Sequence, residues 1–371
     1  GGPGAVFWMW CSALLGMCTK FSEVTLAVHF RERNKNGELV GGPMYYIKNG
    51  LGSRWQFLAV LYSLFGVLTV FGTGNATQVN TIVTAIDSAL LATGSGLNGI
   101  LPTLNLIVGV VVAMMVAMVL LGGVKRIGSV TEKLVPFMAL FYIVLALGVV
   151  ALNYRRFPAV LASIVGGAFD PRAVTGGAIG SVFLSMQKGV SRGIFSNEAG
   201  LGTGSIAHAC ADTHKPVKQG MFGIFEVFMC TMIICTFSAM VILVTGTWET
   251  GDPGSVLAIN AFGTIGLPGR LLASISLILF AASSALSMST SAGILAESLL
   301  GKAAKRIMQI LVVVCCFIGG TIGVDAALPW VDFGNMWAIL VHVIGIMFWV
   351  PKMRELTLDF FDRLKKGEIR E

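Results

Sequence analysis

Charged residues are scarce in this 371-residue sequence. Asp, Glu, Lys and Arg together make up 12% of it, whereas soluble domains carry about 25%. Hydrophobic residues make up 55%, and the mean hydropathy is +0.81. These values exclude a soluble globular protein. They predict an all-α polytopic membrane protein.

The sequence also lacks the residue patterns that enzymes and metal centres need. Its seven cysteines fit no metal-ligand spacing, and no nucleophile lies beside a base in a recognisable arrangement. An odd number of cysteines in apolar segments is more typical of small packing residues. No signal peptide is visible. The sequence therefore predicts neither an enzyme nor a bound cofactor.

Long apolar segments make up most of the chain. We predict nine spans, each about 20 residues or longer and so able to cross a bilayer. They are residues 5–30, 55–86, 102–121, 135–152, 173–212, 219–246, 269–299, 306–324 and 328–350. Residues 1–350 are thus predicted to form one transmembrane domain, and residues 351–371 a basic tail near the membrane surface.

Lys and Arg are unequally divided between the two sides of these spans. Nineteen lie on one side, in loops 31–54, 122–134, 213–218 and 300–306 and in the tail, and four lie on the other. The positive-inside rule therefore predicts that the basic side and the C-terminus are cytoplasmic. It also explains the net charge of +7 without a nucleic-acid partner.

Segment 173–212 differs from the other spans because polar residues interrupt it. The run Gln187–Ser205 holds Lys188, Arg192, Asn197 and Glu198 as well as five glycines. Such groups are costly in hydrocarbon, and glycine weakens a helix. The run predicts a helix broken between Lys188 and Gly200, with its freed main-chain groups facing a cavity. Secondary transporters hold substrate and coupling ion at breaks of this kind.

Two further segments are long and carry a polar seam. In 55–86, Gly74, Gln78 and Thr81 share one helical face, and we favour a cavity role for Gln78 over packing. In 269–299, Ser283 and Ser284 offer oxygens of the kind that hard cations prefer. Hydroxyls bonded to carbonyls of their own helix explain this second seam equally well.

Single charged residues inside the spans are more typical of structural partners. Arg192 is predicted to pair with Glu198, and Lys20 with Glu23. For Glu226 a structural role is favoured over a proton-titrating one. Three uncharged polar residues inside the spans are also given structural roles. Asn197 is a candidate helix cap, and His208 and His342 are candidate core imidazoles.

Four runs of sequence carry a family resemblance. They are GGPGAVFWMW at 1–10, GGPMYYI at 41–47, FGTGNATQVN at 71–80 and RGIFSNEAGLGTGSIAHA at 192–209. In this order they resemble the alanine or glycine:cation symporter family over nearly the whole chain. The resemblance implies the LeuT-type fold of the amino acid–polyamine–cation superfamily, which has two inverted five-helix repeats. The nine spans would then be core helices two to ten.

The resemblance also implies which residues contact the substrate. Gln78 matches a glutamine of core helix three that binds the amino acid. Gly193, Phe195 and Ser196 match the unwound part of core helix six that lines the pocket. Met288 stands where the family has a pocket tryptophan, a departure that alters the size of the pocket.

For the coupling ion, the resemblance favours sodium on core helix eight. Ser283 and Ser284 match its hydroxyl pair, and the Phe280 carbonyl lies one turn earlier. The family's core helix one, which bears a Gly-x-Gly-Asn break, has no counterpart in this sequence. We therefore expect the chain to be an N-terminally truncated fragment of a transporter.

The expected function is sodium-coupled symport of a small neutral amino acid, alanine or glycine, by alternating access. The expected partners are that amino acid, sodium and membrane lipid, in the cell membrane of a bacterium or archaeon. Proton coupling through Glu226 or Glu198 is the alternative. A membrane-embedded enzyme is disfavoured because the sequence shows no nucleophile–base or metal-ligand arrangement. A channel is disfavoured because the polar residues converge on one broken helix. The oligomeric state is not predicted.

Overall fold

The computed structural model describes residues 1–34, 37–93, 99, 101–121, 123–169, 182–252, 254–321 and 328–369. Helices fill most of these ranges. The α-helices are α1 Gly4–His29, α2 Pro43–Gly50, α3 Gln56–Thr69, α4 Thr77–Thr93, α5 Leu101–Leu121, α6 Gly123–Leu152, α7 Phe157–Phe169, α8 Val182–Asn197, α9 Thr203–Ala209, α10 Pro216–Val227, α11 Thr236–Thr245, α12 Gly254–Gly263, α13 Leu267–Leu300, α14 Lys302–Thr321, α15 Leu328–Met347 and α16 Val350–Lys365.

Shorter elements complete the described fold. Two π-helical segments, π1 Val70–Ala76 and π2 Phe228–Cys235, join α3 to α4 and α10 to α11. Short 3₁₀ turns cover Ser53–Trp55, Tyr154–Arg156 and Thr247–Glu249. A two-residue antiparallel ribbon pairs β1 Glu32–Arg33 with β2 Leu39–Val40.

The described helices confirm an all-α polytopic membrane protein. Seven helical runs are long and apolar enough to cross a bilayer. They are Gly4–His29, Ser53–Leu91, Leu101–Met118, Glu132–Leu152, Pro216–Thr245, Leu267–Leu300 and Lys302–Gly320. A bent pair, Val331–Met347 and Val350–Lys365, with 62° between its helices, would make eight.

Two predicted segments can be compared with the structure in detail. Segment 173–212 is broken as predicted, because α8 and α9 are separate helices; residues 173–181 lie outside the described residues. The predicted span 135–152 agrees with the apolar span Glu132–Leu152, but the helix that contains it begins earlier, at Gly123, and continues through Pro136. Lys, Arg and Glu end an apolar run, but they are good helix formers and do not end a helix.

The two π-helical segments are closed by side chains as well as by main chain. Asn75 Nδ2 donates to the Val70 carbonyl, five residues back, at 3.1 Å. Thr236 Oγ1 donates likewise to the Thr231 carbonyl at 3.3 Å. A π turn leaves main-chain groups poorly placed for their usual partners. In each case a polar side chain satisfies one of those groups inside the bilayer.

The two polar seams lie side by side. The run α3–π1–α4 packs antiparallel to α13. Ser63 bonds Ser298 at 3.2 Å, and further along the run Asn75 accepts a hydrogen bond from Ser289 at 2.8 Å. Gly74 lies against the Met288 side chain. The contact is close because glycine has no Cβ, which is the usual means by which membrane helices approach.

Large apolar side chains cover the outward faces of the spans. Leu15, Met118, Phe137, Phe225 and Ile310 are each more than half exposed. A soluble protein would not expose apolar surface on so many helices. These faces are therefore suited to lipid, while the polar residues described below point inward.

We predict that Gly74→Ala destabilises the protein. A Cβ at this position would lie 2.3 Å from Met288 Cβ, so two packed helices must separate. Overpacking of this kind costs about 1–3 kcal/mol. Thermal unfolding in detergent should show a lower midpoint.

The matched control is Gly148→Ala in α6, where an added Cβ meets nothing within 4 Å. There the midpoint should stay the same or rise, since alanine favours a helix over glycine. Equal midpoints for the Gly74 variant and the unchanged protein would contradict the close packing of α13 on π1.

Candidate functional site

The broken helix is the feature on which the polar interior converges. Helix α8 ends at Asn197, α9 begins at Thr203, and the turn Glu198–Gly202 joins them. The backbone φ is positive at Glu198 (56°), Gly200 (88°) and Gly202 (79°). Glu198 is the one non-glycine residue in the described ranges with a positive φ. The two glycines accept such angles at little cost, and so they fix where the chain can turn.

The break lies later in the chain than the resemblance implied. Gly193, Phe195 and Ser196 were expected in the unwound part, but they lie in the last turns of α8. None of them requires a positive φ, whereas the Ala-Gly-Leu-Gly run that follows supplies two glycines that take one. The predicted interval from Lys188 to Gly200 therefore contains only the beginning of the break.

Side chains cap both the helix that ends here and the turn after it. Lys20 Nζ, from α1, donates to the Asn197 carbonyl at 3.2 Å. Asn197 Oδ1 accepts from the Ala199 N–H at 3.0 Å, and Asn197 Nδ2 donates to Thr231 Oγ1 at 3.1 Å. Asn197 thus closes the turn after α8 and does not cap the second half-helix as predicted, since Gly202 occupies that N-cap position.

Three other helices satisfy the main chain of the turn. The Gly200 N–H donates to Glu23 Oε2 of α1 at 3.2 Å, and its carbonyl contacts His342 Nδ1 of α15 at 2.8 Å. Tyr62, from α3, donates its hydroxyl to the Leu201 carbonyl at 2.9 Å. All of these side chains are fully buried. Each exposed main-chain group would otherwise cost free energy in a water-free interior.

One buried ammonium lies among three carboxylates. Lys20 Nζ is 3.7 Å from Glu23 Oε1 and 3.4 Å from Glu226 Oε1. Glu226 Oε2 contacts His208 at 2.6 Å, and Glu198 accepts a hydrogen bond from Thr203 at 2.6 Å. The predicted Lys20–Glu23 pair is confirmed, and Glu226 lies beside both Lys20 and His208. His342 is completely buried, and it also contacts the Tyr46 hydroxyl, as expected of a core imidazole.

The predicted pair of Arg192 with Glu198 is wrong. Arg192 Nη2 instead lies 3.9 Å from Asp332 Oδ2 of α15, and both side chains are about half exposed. Arg192 lies within α8, whereas Glu198 lies in the turn after it with a positive φ, so helical spacing does not relate their side chains. Their partners come from other helices, which sequence spacing does not reveal.

The predicted substrate residues of α8 face different neighbours. Gly193 packs on Ser12 and Met9 of α1. Phe195 carries the Arg192 guanidinium 5.6 Å from its ring centroid. Ser196 Oγ contacts the thiols of π2.

On α13, the predicted sodium residues include one direct contact. Ser283 Oγ donates to the Phe280 carbonyl at 2.9 Å, and Ser283 is buried while Ser284 is partly buried. Gln78 lies in α4, one turn after Gly74, and Gly74 lies against Met288 of α13. The predicted residues Gln78, Phe280, Ser283, Ser284 and Met288 thus belong to two helices, α4 and α13, that pack against each other. Helix α9 also packs on α13.

A cavity of about 350 Å³ opens at the end of the bundle that carries the basic loops. Glu32, Tyr45, Lys48, Ser63 and Glu297 are among its lining residues. Burial raises the pKa of Tyr45 to about 12, so its phenol stays neutral at ordinary pH. None of the predicted site residues lines this cavity.

Arg31 hydrogen-bonds the main chain at the end of α9 and just after it. Arg31, just after α1, donates to the carbonyls of Ala209 at 3.1 Å and Ala211 at 2.7 Å, and also to that of Thr213. The Ala209 carbonyl ends α9 and has no partner within that helix, and the other two carbonyls belong to the turn that follows it. Sequence reasoning placed Arg31 among the loop cations and missed this role, as it missed Tyr62 and Tyr46. A lone polar residue in or beside an apolar run was the only signal.

Lipid-facing helices around a buried polar break define a class of multi-pass membrane transporters rather than enzymes. Among the described residues, no cluster of His, Cys, Asp and Glu could hold a metal ion. The chain belongs to the sodium:alanine symporter family, whose model matches residues 1–371.

Individual relatives cover most of the chain. The sodium/alanine symporter AgcS of Methanococcus maripaludis is 35% identical over 100% of this chain and 80% of its own length. An uncharacterised transporter of Haemophilus influenzae is 37% identical over 98% of this chain and 78% of its own length. The probable sodium/glutamine symporter GlnT of Bacillus subtilis is 40% identical over 67% of this chain and 49% of its own length.

We predict that Lys20→Met strongly destabilises the fold. Three carboxylates would then lie around the break without their buried cation, and removing one partner of a buried pair costs about 3–5 kcal/mol. The measurement is the thermal unfolding midpoint of the purified protein in detergent.

Lys48→Met provides the comparison. Lys48 pairs with Glu32 at 3.8 Å, but its side chain is 54% exposed, and exposed pairs contribute about 0–1 kcal/mol. A Lys20 variant that unfolds at the same temperature as the Lys48 variant would mean that the buried cluster does not depend on this ammonium.

Proposed function

We propose that this protein carries a small neutral amino acid, alanine or glycine, together with sodium across the cell membrane by alternating access. Membership of the sodium:alanine symporter family supports both the substrate class and the ion. The observation that carries the proposal is the break at Glu198–Gly202, whose main-chain groups are held by buried side chains from three other helices. Such a break is how secondary transporters build a site at the membrane midplane.

The proposed fold is of the LeuT type, with the described helices serving as core helices two to ten. We propose that residues 1–350 form a single transporter domain, with residues 351–371 as a cytoplasmic tail. The bend of 62° after α15 and the paired acids and bases of α16 are consistent with a helix lying along the membrane surface.

The proposed substrate residues are those of the two polar helices and the end of α8. Gln78 would bind the amino acid, and Met288 would limit the size of its side chain. Gly193, Phe195 and Ser196 would form the wall next to the break. A pocket bounded in this way discriminates by about 1–3 kcal/mol per methylene, which favours alanine and glycine over larger residues.

The proposed sodium ligands are the Phe280 carbonyl and the hydroxyls of Ser283 and Ser284. Ser283 Oγ donates to the Phe280 oxygen at 2.9 Å, so the two oxygens are adjacent, although a hydroxyl bonded to its own helix makes the same contact. A hydroxyl that donates to a carbonyl keeps its lone pairs for a cation. Carbonyl and hydroxyl oxygens are the ligands that a hard cation prefers.

Replacing Gln78 with Ala should abolish binding of radiolabelled alanine to the full-length protein, because the amide would no longer fix the substrate. Gln56→Ala is the control, since Gln56 is an exposed glutamine at the start of the same span. The binding assay is scintillation proximity in detergent. Unchanged affinity in the Gln78 variant would remove this residue from the site.

Ser283→Ala combined with Ser284→Ala should raise the sodium concentration needed for half-maximal alanine uptake. Ser276→Ala is the control on the same helix. Ser276 lies two turns before Ser283, and its hydroxyl bonds the Leu272 carbonyl. Uptake is measured in proteoliposomes across a series of sodium concentrations. A sodium dependence equal to that of the control would refute the ion site.

A second candidate function is proton-coupled transport. The observation in its favour is the cluster of Glu23, Glu198 and Glu226 around one lysine, with two imidazoles in contact with it. Glu226 is 43% exposed, which connects the cluster to the surface. One measurement distinguishes the two functions. Alanine uptake that persists without sodium and follows the pH gradient would show proton coupling.

A further inference from the structure

Two cysteines of π2 meet at one hydroxyl of the broken helix. Ser196 Oγ lies 3.2 Å from Cys230 Sγ and 3.0 Å from Cys235 Sγ. Cys230 Sγ also donates to the Ser196 carbonyl at 3.3 Å. Both cysteines are free and partly exposed.

The π-helical geometry is what brings these thiols together. In an α-helix, residues five apart are rotated by about 140° and point to different sides. In a π-helix the main-chain hydrogen bond itself joins residues five apart, so their side chains lie one above the other. Cys230 and Cys235 have that spacing within π2. The sequence spacing alone therefore gave no sign of a pair.

We propose that Cys230 and Cys235 form a dithiol site for a soft, thiophilic ligand that takes two thiolates, such as trivalent arsenic. Soft thiolates select soft centres, and two converging sulfurs can occupy two positions on one such atom. With phenylarsine oxide, two S–H bonds and the arsenic–oxygen bond break and two arsenic–sulfur bonds form. The oxygen leaves with both protons as water, and arsenic keeps its oxidation state.

Small apolar packing is the ordinary role of cysteine in a membrane helix, and the chain offers a pair that fits it. Cys315 and Cys316 are adjacent in sequence, yet their thiols go to separate acceptors. Cys315 Sγ donates to the Phe71 carbonyl at 3.4 Å, and Cys316 Sγ lies 3.7 Å from Asn75 Oδ1. Cys315 and Cys316 are therefore adjacent in sequence without sharing a partner, whereas Cys230 and Cys235 both contact Ser196.

Occupancy of the dithiol site would act on the break. Ser196 is followed directly by Asn197, which bonds Thr231 of the same π-helical segment. The last turn of α8 is thus attached to π2 at two successive residues. A ligand that joins Cys230 to Cys235 removes both S–H donors, so Ser196 would keep only its own hydroxyl as a donor to the bound sulfurs, while Asn197 keeps its bond to Thr231. By linking residues five apart, the ligand would hold π2 in its π-helical conformation and so restrain the turn that follows.

The test uses the full-length protein with Cys315 and Cys316 changed to Ser, treated with phenylarsine oxide and then with excess monothiol. Intact-mass spectrometry should show one adduct, equal to the reagent less one water, that a dithiol removes and the monothiol does not. Cys230→Ser and Cys235→Ser should each abolish this adduct, and serine keeps a hydroxyl for Ser196. An adduct that survives both substitutions, or none in the starting protein, overturns the proposal.

The restraint on the break has its own readout. Hydrogen exchange of the main chain at 198–202 should slow when the arsenical is bound, and should return to its starting rate once the dithiol removes it. The Cys230→Ser protein, treated in the same way, should show no change. Exchange that is equal with and without the adduct would refute the restraint, because the α8 end would then move independently of π2.

Discussion

Main-chain hydrogen bonding at the break constrains the rest of the structure. A turn at this depth exposes N–H and C=O groups where water cannot satisfy them. Glu23 and His342 bond Gly200, Tyr62 bonds Leu201, and Lys20 bonds Asn197. These side chains come from α1, α3 and α15, so three helices must meet at one place. The bundle is arranged around the few residues that cannot be helical.

The charges follow from the same constraint. A carboxylate that accepts an N–H of the turn must itself be compensated, because an isolated buried charge is very costly. Lys20 compensates Glu23 and reaches Glu226 as well. Gly204 leaves room for the ammonium, since a Cβ there would lie 2.2 Å from Nζ. The glycines of the SNEAGLGTG run thus serve the turn and also the cation beside it.

Sequence reasoning located the spans and the existence of the break, because hydropathy and glycine content are local signals. It placed Gly193, Phe195 and Ser196 in the turn, although within the run from Gln187 to Ser205 the backbone φ is positive only from Glu198 onward. It paired Arg192 with Glu198 because they are near in sequence, while the partner Asp332 comes from a distant helix. The π-helical segments were not predicted, since they involve Asn75 and Thr236 each bonding a carbonyl five residues back, a contact that the sequence does not reveal. Partners that are far apart in the sequence can be identified only from the three-dimensional structure.

Two cations on α1 and just beyond it hold the ends of the broken segment. Lys20 holds the residue where α8 stops, and Arg31 holds the carbonyls where α9 stops. The turn and the half-helix after it are therefore held between two residues of a single neighbouring segment. Rotation of α9 alone would break the charged hydrogen bond from Arg31 to Ala209. Alternating exposure of the two membrane faces would then have to carry α1, the turn and α9 as one rigid body, with flexing confined to the connections outside it.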